Sequence, residues 1–206
     1  VYLIEEPLAA AIGAKIPIAQ PSGNMIVDSG GGSSEAAVIS LGGVVVHHSV
    51  RVAGNKLDES IAAYIKKRYN LIIGERMAEE VKIQVGDAMP QKSSAKSNTP
   101  RKMEVRGRDS LTGLPRMLEL TNEEVAVAIS GPLNSIIAGI KEVLENTPPE
   151  LASDIIDKGI VLSGGTALLK NIDKLITQAT GVAVHVAEDP LLCVVRGTGV
   201  ALENID

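Results

Sequence analysis

The chain has 206 residues, of which 45% are hydrophobic, so it is long enough for one large domain or two small ones with aliphatic cores. Its net charge of −5 and its lack of Phe and Trp remove the positive field and the aromatic platforms that nucleic-acid binding uses, so we expect no nucleic-acid partner. Because Cys193 is the only cysteine, a disulfide framework and a multi-thiolate metal site are excluded, which predicts a reducing, cytoplasmic compartment.

The first quarter of the chain predicts one helix and then three strands. Pro7 suits the first turn of a helix, and the alanines that follow it favour helical structure. The pair Gly42-Gly43 is typical of a tight two-residue hairpin turn. The predicted elements are a helix over 5–14 and strands over 25–27, 35–40 and 44–50.

The middle of the chain predicts three helices and an extended hairpin. Asn55 is a candidate cap for the first helix, and Gly86 ends the second. Thr121 and Glu124 have the spacing of a capping box, which opens the third helix, and Pro148-Pro149 ends it. The predicted elements are helices over 57–68, 75–85 and 121–146, with two extended runs around a Gly-containing loop over 101–120.

The last quarter alternates strands and helices, which predicts an α/β sheet. Its predicted elements are a strand over 159–163, the turn Gly164-Gly165-Thr166, a helix over 167–179, a strand over 182–186 and a helix after Pro190. No apolar run approaches the roughly 20 residues needed to cross a bilayer, and the N-terminus lacks a signal-peptide pattern. The chain begins in patterned sequence at Val1, which indicates a piece of a longer protein.

The stretch "MIVDSGGGSSEAAVISLGG", residues 25–43, places Asp28 and three glycines between two predicted strands. Consecutive glycines permit positive φ and can turn several N–H groups toward one anion, while Asp28 could hold a divalent cation through water. The alternative is a tight hairpin whose backbone is satisfied by Asp28 and Ser33. A glycine run alone does not decide between the two.

A second glycine turn lies in "GIVLSGGTALLKNI", residues 159–172. A strand, two glycines and a helix in that order let a ligand pack on bare backbone at a helix N-terminus. The alternative is a helix start that packs closely on its strand. Two glycine turns of different types, each following a strand, favour one nucleotide held at both ends.

Acidic residues also precede the first helix, at Glu5 and Glu6. Acids at this position stabilise the positive end of a helix, and on the residues alone this explanation is favoured. The alternative is that one of them orients a water for attack on a terminal phosphate.

Two further groups of residues carry weaker signals. The three histidines, His47, His48 and His185, show no metal-ligand spacing and predict surface positions on strands. The basic stretch from Lys92 to Arg108 predicts a solvated loop and edge hairpin, with a filament contact or an acidic partner as the alternative.

Several blocks together resemble the MreB family of bacterial actin-like cell-shape-determining proteins. They are "LIEEPLAAAIGA", "MIVDSGGGSSEAAVISLGG", "MEVRGRDSLTGLP", "GIVLSGGTALLKNI" and "VHVAEDPLLCVVRGTGVALENID", and the resemblance covers essentially the whole chain. More remotely, the chain resembles the superfamily of actin, heat-shock-type chaperones and sugar kinases. The resemblance implies an actin-like (ribonuclease H-like) α/β nucleotide-binding half. Residues 1–53 and 148–206 would form its core, residues 54–147 a small inserted α+β subdomain, and the N-terminal half of the fold would be absent.

The resemblance also implies a function. The family binds ATP with Mg between two halves of the fold, is a weak ATPase, and polymerises along the inner membrane face to organise elongation-phase wall synthesis. The implied partners are other copies of the protein, wall-elongation membrane proteins, and the membrane through parts outside this chain. The implied location is cytoplasmic and membrane-associated.

Site residues carry over from the family by motif. Asp28 corresponds to the metal position and Glu6 to the acid that positions the attacking water. Ser33 belongs to the second phosphate loop and to the catalytic set. The implied nucleotide-binding residues are Gly30, Gly31, Gly32, Ser33, Glu79, Glu80, Lys82, Gly164, Gly165, Thr166 and Ala167.

The chain departs from the family pattern in three ways. Its loop at residues 28–35 reads D-S-G-G-G-S-S-E where the family usually has D-I-G-G-G-T-T-E. Serine keeps the hydroxyl of threonine but loses the methyl group that restricts its rotamer. Thr166 replaces a third glycine, and its added Cβ and hydroxyl could crowd the base. The family's other phosphate loop lies upstream of Val1. We therefore expect this chain alone to be a nucleotide-binding half-site and not a competent ATPase.

Two rival hypotheses remain open on the sequence. The chain could be the nucleotide-binding half of a kinase or chaperone-type protein of the same superfamily, or a truncated product with no activity. The block "MEVRGRDSLTGLP" and the lack of an appended substrate-binding domain before Asp206 favour the cell-shape family.

Overall fold

The computed structural model describes residues 2–90 and 100–204, which fold around two β-sheets. The strands are β1 (Asn24–Ser29), β2 (Ser34–Ser40), β3 (Gly43–Val50), β4 (Leu71–Ile72), β5 (Lys102–Asp109), β6 (Pro115–Thr121), β7 (Ile160–Ser163) and β8 (Val184–Val186). The helices are α1 (Glu6–Gly13), α2 (Gly54–Tyr69), α3 (Glu75–Val85), α4 (Asn122–Glu145), α5 (Pro149–Lys158), α6 (Ile172–Thr180) and α7 (Cys193–Glu203). Two 3₁₀ turns cover Gly165–Leu168 and Pro190–Leu192.

The larger sheet is mixed, with the strand order β3-β2-β1-β7-β8. Strand β1 pairs antiparallel with β2 and parallel with β7, so the carboxyl ends of β1 and β7 lie side by side, with Asp28 opposite Ser163. Ligands of open α/β sheets bind beyond the carboxyl ends of parallel strands. The smaller sheet is antiparallel, with the order β4-β5-β6.

Helix α4 connects the two sheets through one buried stripe. It begins at the predicted capping box, in which the Glu124 amide donates to Thr121 Oγ1 and the Thr121 amide donates to the Glu124 carboxylate. Its apolar residues pack in a core cluster that also contains side chains from α2, β1 and β6. The stripe consists of Val125, Ile129, Leu133, Ile136, Ile140 and Val143.

Helix α4 also corrects one expectation. Among the described residues it is long and apolar enough to cross a membrane by length and composition alone. The expectation that no segment reaches this threshold is therefore wrong. Its inward face is buried against the protein, which is the pattern of a core helix.

The hairpin between β2 and β3 turns one residue earlier than predicted. Ser40 pairs with Gly43, so the loop residues are Leu41 and Gly42, whose φ angles are 52° and 75°. Two positive φ values give a tight turn whose twist matches the flanking strands. The second glycine of the predicted pair is already in β3.

Two predictions at helix ends are wrong, and one helix was not predicted. Asn55 does not cap α2, since the cap position is Ala53 and no side chain fulfils the role. The pair Pro148-Pro149 ends α4 as predicted, but it also starts α5, a helix that the sequence analysis missed. The glycine turn after β7 opens a 3₁₀ turn, and α6 starts only at Ile172.

Candidate functional site

A cleft of about 790 Å³ opens at the carboxyl ends of β1 and β7. This volume falls within the range typical of small-ligand pockets. The walls come from the β1–β2 turn, the start of α2, one face of α3 and the two 3₁₀ turns. The lining residues from the predicted site are Asp28, Gly30, Gly31, Glu79, Lys82, Gly164, Gly165 and Thr166.

Asp28 places a carboxylate at the floor of this cleft. It is 5% exposed, and the Ser163 hydroxyl donates to its Oδ1 atom at 2.5 Å. Burial raises the pKa of Asp28; the Ser163 hydrogen bond opposes this rise, and the charge of Glu35 adds to it. No ion pair among the described residues neutralises this carboxylate.

Glu6 lies at the first turn of α1, where it shares an electrostatic environment with Asp28 and Glu35. Partial burial raises its pKa, and the charges of Glu35 and Asp28 raise it further. α1 is held in place by α7, whose Gly197 packs so closely that an added Cβ would lie 1.8 Å from the Ala9 carbonyl oxygen. Glu6 is not among the cleft-lining residues.

The first glycine turn is closed by its own backbone. The Gly30 amide donates to the Ser33 carbonyl at 3.1 Å, while the Gly30 and Gly31 carbonyls accept from the amides of Gly54 and Asn55 at 3.1 and 2.8 Å. In the part of the chain that the structure describes, the amides of Gly31 and Gly32 donate to no protein acceptor. Because the Gly30 and Gly31 carbonyls are already hydrogen-bonded while the Gly31 and Gly32 amides are free to donate, this turn suits an anion.

The reason for glycine in this turn differs from the prediction. None of Gly30, Gly31 and Gly32 has a positive φ angle, so the expected left-handed conformation is wrong. A Cβ at Gly31 would lie 3.2 Å from Asn55 Oδ1, whereas a Cβ at Gly32 would meet no atom within 4 Å. Gly30 and Gly31 line the cleft, whereas Gly32 and Ser33 do not, and Gly32 borders open space. The alternative in which Asp28 satisfies the hairpin backbone is wrong as well, because Asp28 accepts from Ser163.

The second glycine turn does require left-handed backbone. Gly164 has a φ of 85°, its amide donates to the Pro190 carbonyl at 2.9 Å, and an added Cβ would lie 2.3 Å from the Ser29 carbonyl oxygen. Only glycine fits this close approach to the end of β1. The turn thus packs bare backbone beside the first one, although it opens a 3₁₀ turn and not an α-helix.

Thr166 connects the two glycine turns. Its side-chain hydroxyl donates to the Gly30 carbonyl at 3.0 Å, and the residue is only 7% exposed. That the Cβ and hydroxyl of Thr166 crowd the base stays a prediction, since the residue lines the cleft while its hydroxyl is engaged by the other turn. The neighbouring Ala167 is buried and does not line the cleft.

The three predicted site residues of α3 take different positions. Glu79 and Lys82 line the cleft, whereas Glu80 does not and pairs with Arg76 at 3.2 Å. The Lys82 ammonium donates to Asp58 Oδ2 at 2.7 Å and to the Gly54 carbonyl at 3.2 Å. Lys82 therefore ties α3 to the start of α2 at the edge of the first glycine turn.

The sequence analysis missed an apolar rim and two cations. Ile83, Leu168 and Leu191 line the cleft with 71%, 61% and 65% of their surface exposed. Arg101 and Lys170 also line it, and both approach the buried Asp87 carboxylate at 3.6 Å. Exposed apolar side chains around a polar floor suit a flat aromatic ligand group. No local sequence signal marks these residues, since they come from separate elements.

Among the weaker candidates that the structure describes, the three histidines do not line the cleft, whereas Arg101 of the basic stretch does. His47 lies 3.4 Å from Glu35, and His48 lies 3.1 Å from Glu142, as polar contacts at the surface of β3. Within the described residues no three His, Cys, Asp or Glu side chains could hold a metal by themselves. In the basic stretch, Arg106 pairs with Glu104 on β5, and Lys92 and Lys96 lie outside the described residues.

Comparison with known proteins gives consistent matches over the whole chain. The family model described as MreB/Mbl protein matches residues 1–206. The cell shape-determining protein MreB of Escherichia coli K12 is 50% identical over all 206 residues, and Mbl of Bacillus subtilis is 48% identical. The chain spans 58% and 60% of the length of these two relatives.

Solved structures give the same result. MreB 5 of Spiroplasma citri bound to AMPPNP matches 97% of this chain with a TM-score of 0.90 and 40% identity, and this chain covers 58% of that one. The same protein bound to ADP matches 98% with a TM-score of 0.90 and 39% identity, and 62% of it is covered. The MamK double helical filament matches 98% of this chain and 59% of its own, with a TM-score of 0.78 at 23% identity, and this likeness concerns the fold alone.

Proposed function

Because the chain belongs to the MreB/Mbl family, we propose that it supplies part of the nucleotide-binding cleft of an actin-like filament protein that maintains cell shape. Its fold is the predicted actin-like α/β fold. The cell-shape relatives are nearly half identical to it over the whole chain, which favours this function over a kinase or chaperone-type protein. Since the chain spans 58% of the E. coli relative, the activity proposed is that of the whole protein.

The observation that carries the nucleotide proposal is the pair of glycine turns on one cleft. We assign the phosphates to the free amides of Gly31 and Gly32 and to the Ser33 hydroxyl. The nucleoside would lie against Gly164 and Gly165, where the backbone is bare. The AMPPNP and ADP complexes of the Spiroplasma relative support nucleotide binding.

The base and ribose would contact the remaining walls. The exposed apolar side chains of Ile83, Leu168 and Leu191 would cover the faces of the base. Glu79 and Lys82 line the same wall and would contact the ribose or base, whereas Glu80 and Ala167 would act only by supporting their neighbours. We propose ATP as the ligand.

The residues present also fit a magnesium ion. Asp28 is a buried carboxylate with a raised pKa and no cationic partner in the described residues, and it faces the cleft that would hold the phosphates. Mg²⁺ in phosphate sites usually takes only one or two protein carboxylates and keeps several waters, so a single Asp acting through water is sufficient. The ion would neutralise phosphate charge.

Glu6 is the proposed positioning group for an attacking water. Burial and the charges of Glu35 and Asp28 raise the pKa of Glu6, and this supports a role as a proton acceptor. Ser33 would contribute its hydroxyl to the same region. Since only one glycine-rich phosphate turn is present in these residues, we propose that the chain alone binds nucleotide weakly and hydrolyses it poorly.

The wider role follows the family. We propose that the whole protein assembles with copies of itself on the cytoplasmic face of the membrane and organises wall-elongation membrane proteins. Membrane attachment would use parts outside this chain. We also propose that residues 1–53 and 148–206 form the core subdomain and residues 54–147 an inserted one, each built on one of the two sheets.

Sedimentation of the full-length protein that contains this chain tests the proposed function. Wild-type protein should pellet in the presence of MgATP and remain in the supernatant without nucleotide. Gly32→Val adds a branched side chain, without a clash, between the Gly31 amide and Ser33 that we assign to the phosphates, and it should abolish the response to MgATP. Gly74→Val is the matched control, because Gly74 also has open surroundings and has extended backbone outside the cleft.

Two results of this sedimentation experiment would contradict the proposal. Equal pelleting of the wild-type protein with and without MgATP would show that nucleotide does not control assembly. An undiminished response in Gly32→Val would show that the phosphates do not bind at the first glycine turn.

A further inference from the structure

The Gly30 carbonyl is a meeting point of three separate segments. It accepts the Gly54 amide from the start of α2 at 3.1 Å and the Thr166 hydroxyl from the second glycine turn at 3.0 Å. Gly30 itself belongs to the turn that we assign to the phosphates. One backbone oxygen thus joins the phosphate turn, the second glycine turn and the first helix of residues 54–147.

Among the residues that the structure describes, Thr166 provides the only side-chain hydrogen bond to the Gly30 carbonyl. The residue is 7% exposed and lies 136 residues from its acceptor, so the bond fixes a long-range distance within the cleft. The backbone contact between the turns comes from Gly164, which packs on Ser29. The Thr166 hydroxyl adds a hydrogen bond to Gly30, the residue after Ser29, in the turn that carries the free amides.

We infer that Thr166 is a positioning residue, whose hydroxyl sets the spacing of the two glycine turns and thereby the affinity for a nucleotide that touches both. The inference rests on the proposed nucleotide function. A ligand that spans both turns benefits from their fixed spacing, because the protein does not have to order them on binding. A ligand that touches one turn gains nothing from it.

This difference between ligands distinguishes positioning from a general structural role. Loss of the hydroxyl should weaken MgADP, which reaches both turns, by about two- to tenfold, the effect of one buried hydrogen bond. Adenosine, which lacks phosphates, should bind as before. A variant that only loosened the fold would weaken both ligands in proportion.

The experiment uses Thr166→Val and Thr166→Ser in this chain, with affinities for MgADP and adenosine measured by NMR titration and stability measured by urea unfolding. Valine keeps the shape of threonine without the donor, and serine keeps the donor. Thr112→Val, at an exposed position on the β5–β6 hairpin, is the matched control. We expect a selective loss of MgADP affinity in Thr166→Val and wild-type affinities in Thr166→Ser and Thr112→Val.

Three outcomes would overturn the inference. The first is an unchanged MgADP affinity in Thr166→Val, and the second is an equal loss of affinity for MgADP and adenosine in that variant. The third is a loss of MgADP affinity of fivefold or more in Thr166→Ser, which applies even where Thr166→Val does not fold. Absence of MgADP binding in the wild type would instead contradict the proposed nucleotide function, so the two failures can be told apart.

Discussion

Gly164→Ala is expected to lower the free energy of unfolding by more than about 3 kcal/mol. The added Cβ would lie 2.3 Å from the carbonyl oxygen and 2.5 Å from the carbonyl carbon of Ser29, and neither backbone atom can rotate away. The φ of 85° adds a further cost for any residue with a side chain. Urea unfolding followed by circular dichroism measures the change.

The adjacent residue provides the control for this substitution. A Cβ at Gly165 would lie 3.3 Å from Leu191 Cδ2, the end of a flexible and exposed side chain, and Gly165 has no positive φ. Gly165→Ala should therefore cost less than about 1 kcal/mol. Similar unfolding midpoints for the two variants would contradict the close packing of the second glycine turn on β1.

Asp28→Asn is expected to weaken the magnesium-dependent part of nucleotide affinity by about 10- to 100-fold. The amide keeps an oxygen that can accept the Ser163 hydrogen bond, so the geometry is preserved while the charge is lost. Comparing ADP affinity with and without Mg²⁺ in both proteins isolates the ion. Equal enhancement by Mg²⁺ in wild type and variant would exclude Asp28 as the metal position.

The same variant should have the opposite effect on stability. The pKa of Asp28 is raised in the folded state by burial, so the folded protein prefers the protonated form. The stability that this preference contributes is present below the ordinary aspartate pKa and is lost as the pH rises through the folded pKa. Without ligand, Asp28→Asn should therefore be more stable than wild type at neutral pH, and the difference should shrink as the pH falls.

If the stability advantage of Asp28→Asn over the wild type grew as the pH fell, the predicted pH dependence would be contradicted. The opposite effects on stability and on binding are expected because the buried Asp28 charge lowers the stability of the ligand-free protein but binds the cation. A variant that damaged the fold would lower both quantities.

Local signals in the sequence predicted the regular elements well. The capping box at Thr121 fixed the start of α4, and the prediction for α3 over 75–85 is confirmed at both ends. Both signals lie within one helical turn of the boundary that they set. The α5 helix was missed although Pro149 stands at its first position, because the proline pair was interpreted only as an end.

The contacts that shape the cleft were not predictable in this way. Ser163 binds Asp28, and Thr166 binds Gly30, across more than 130 residues of sequence. Such contacts depend on the parallel pairing of β1 with β7, which no local pattern encodes. Asn55 illustrates the same limit, since its type suggested a helix cap while its backbone amide instead holds the Gly31 carbonyl.

The central claim is that one nucleotide binds both glycine turns of one cleft. An NMR titration of this chain with MgADP, following the backbone amides of Gly31, Gly32 and Gly165, tests it directly and detects weak binding as well. The account predicts that these three amides shift together with one dissociation constant, and that adenosine shifts Gly165 alone. Shifts confined to one turn under MgADP, shifts centred on the β5–β6 hairpin, or no shifts at millimolar MgADP would contradict it.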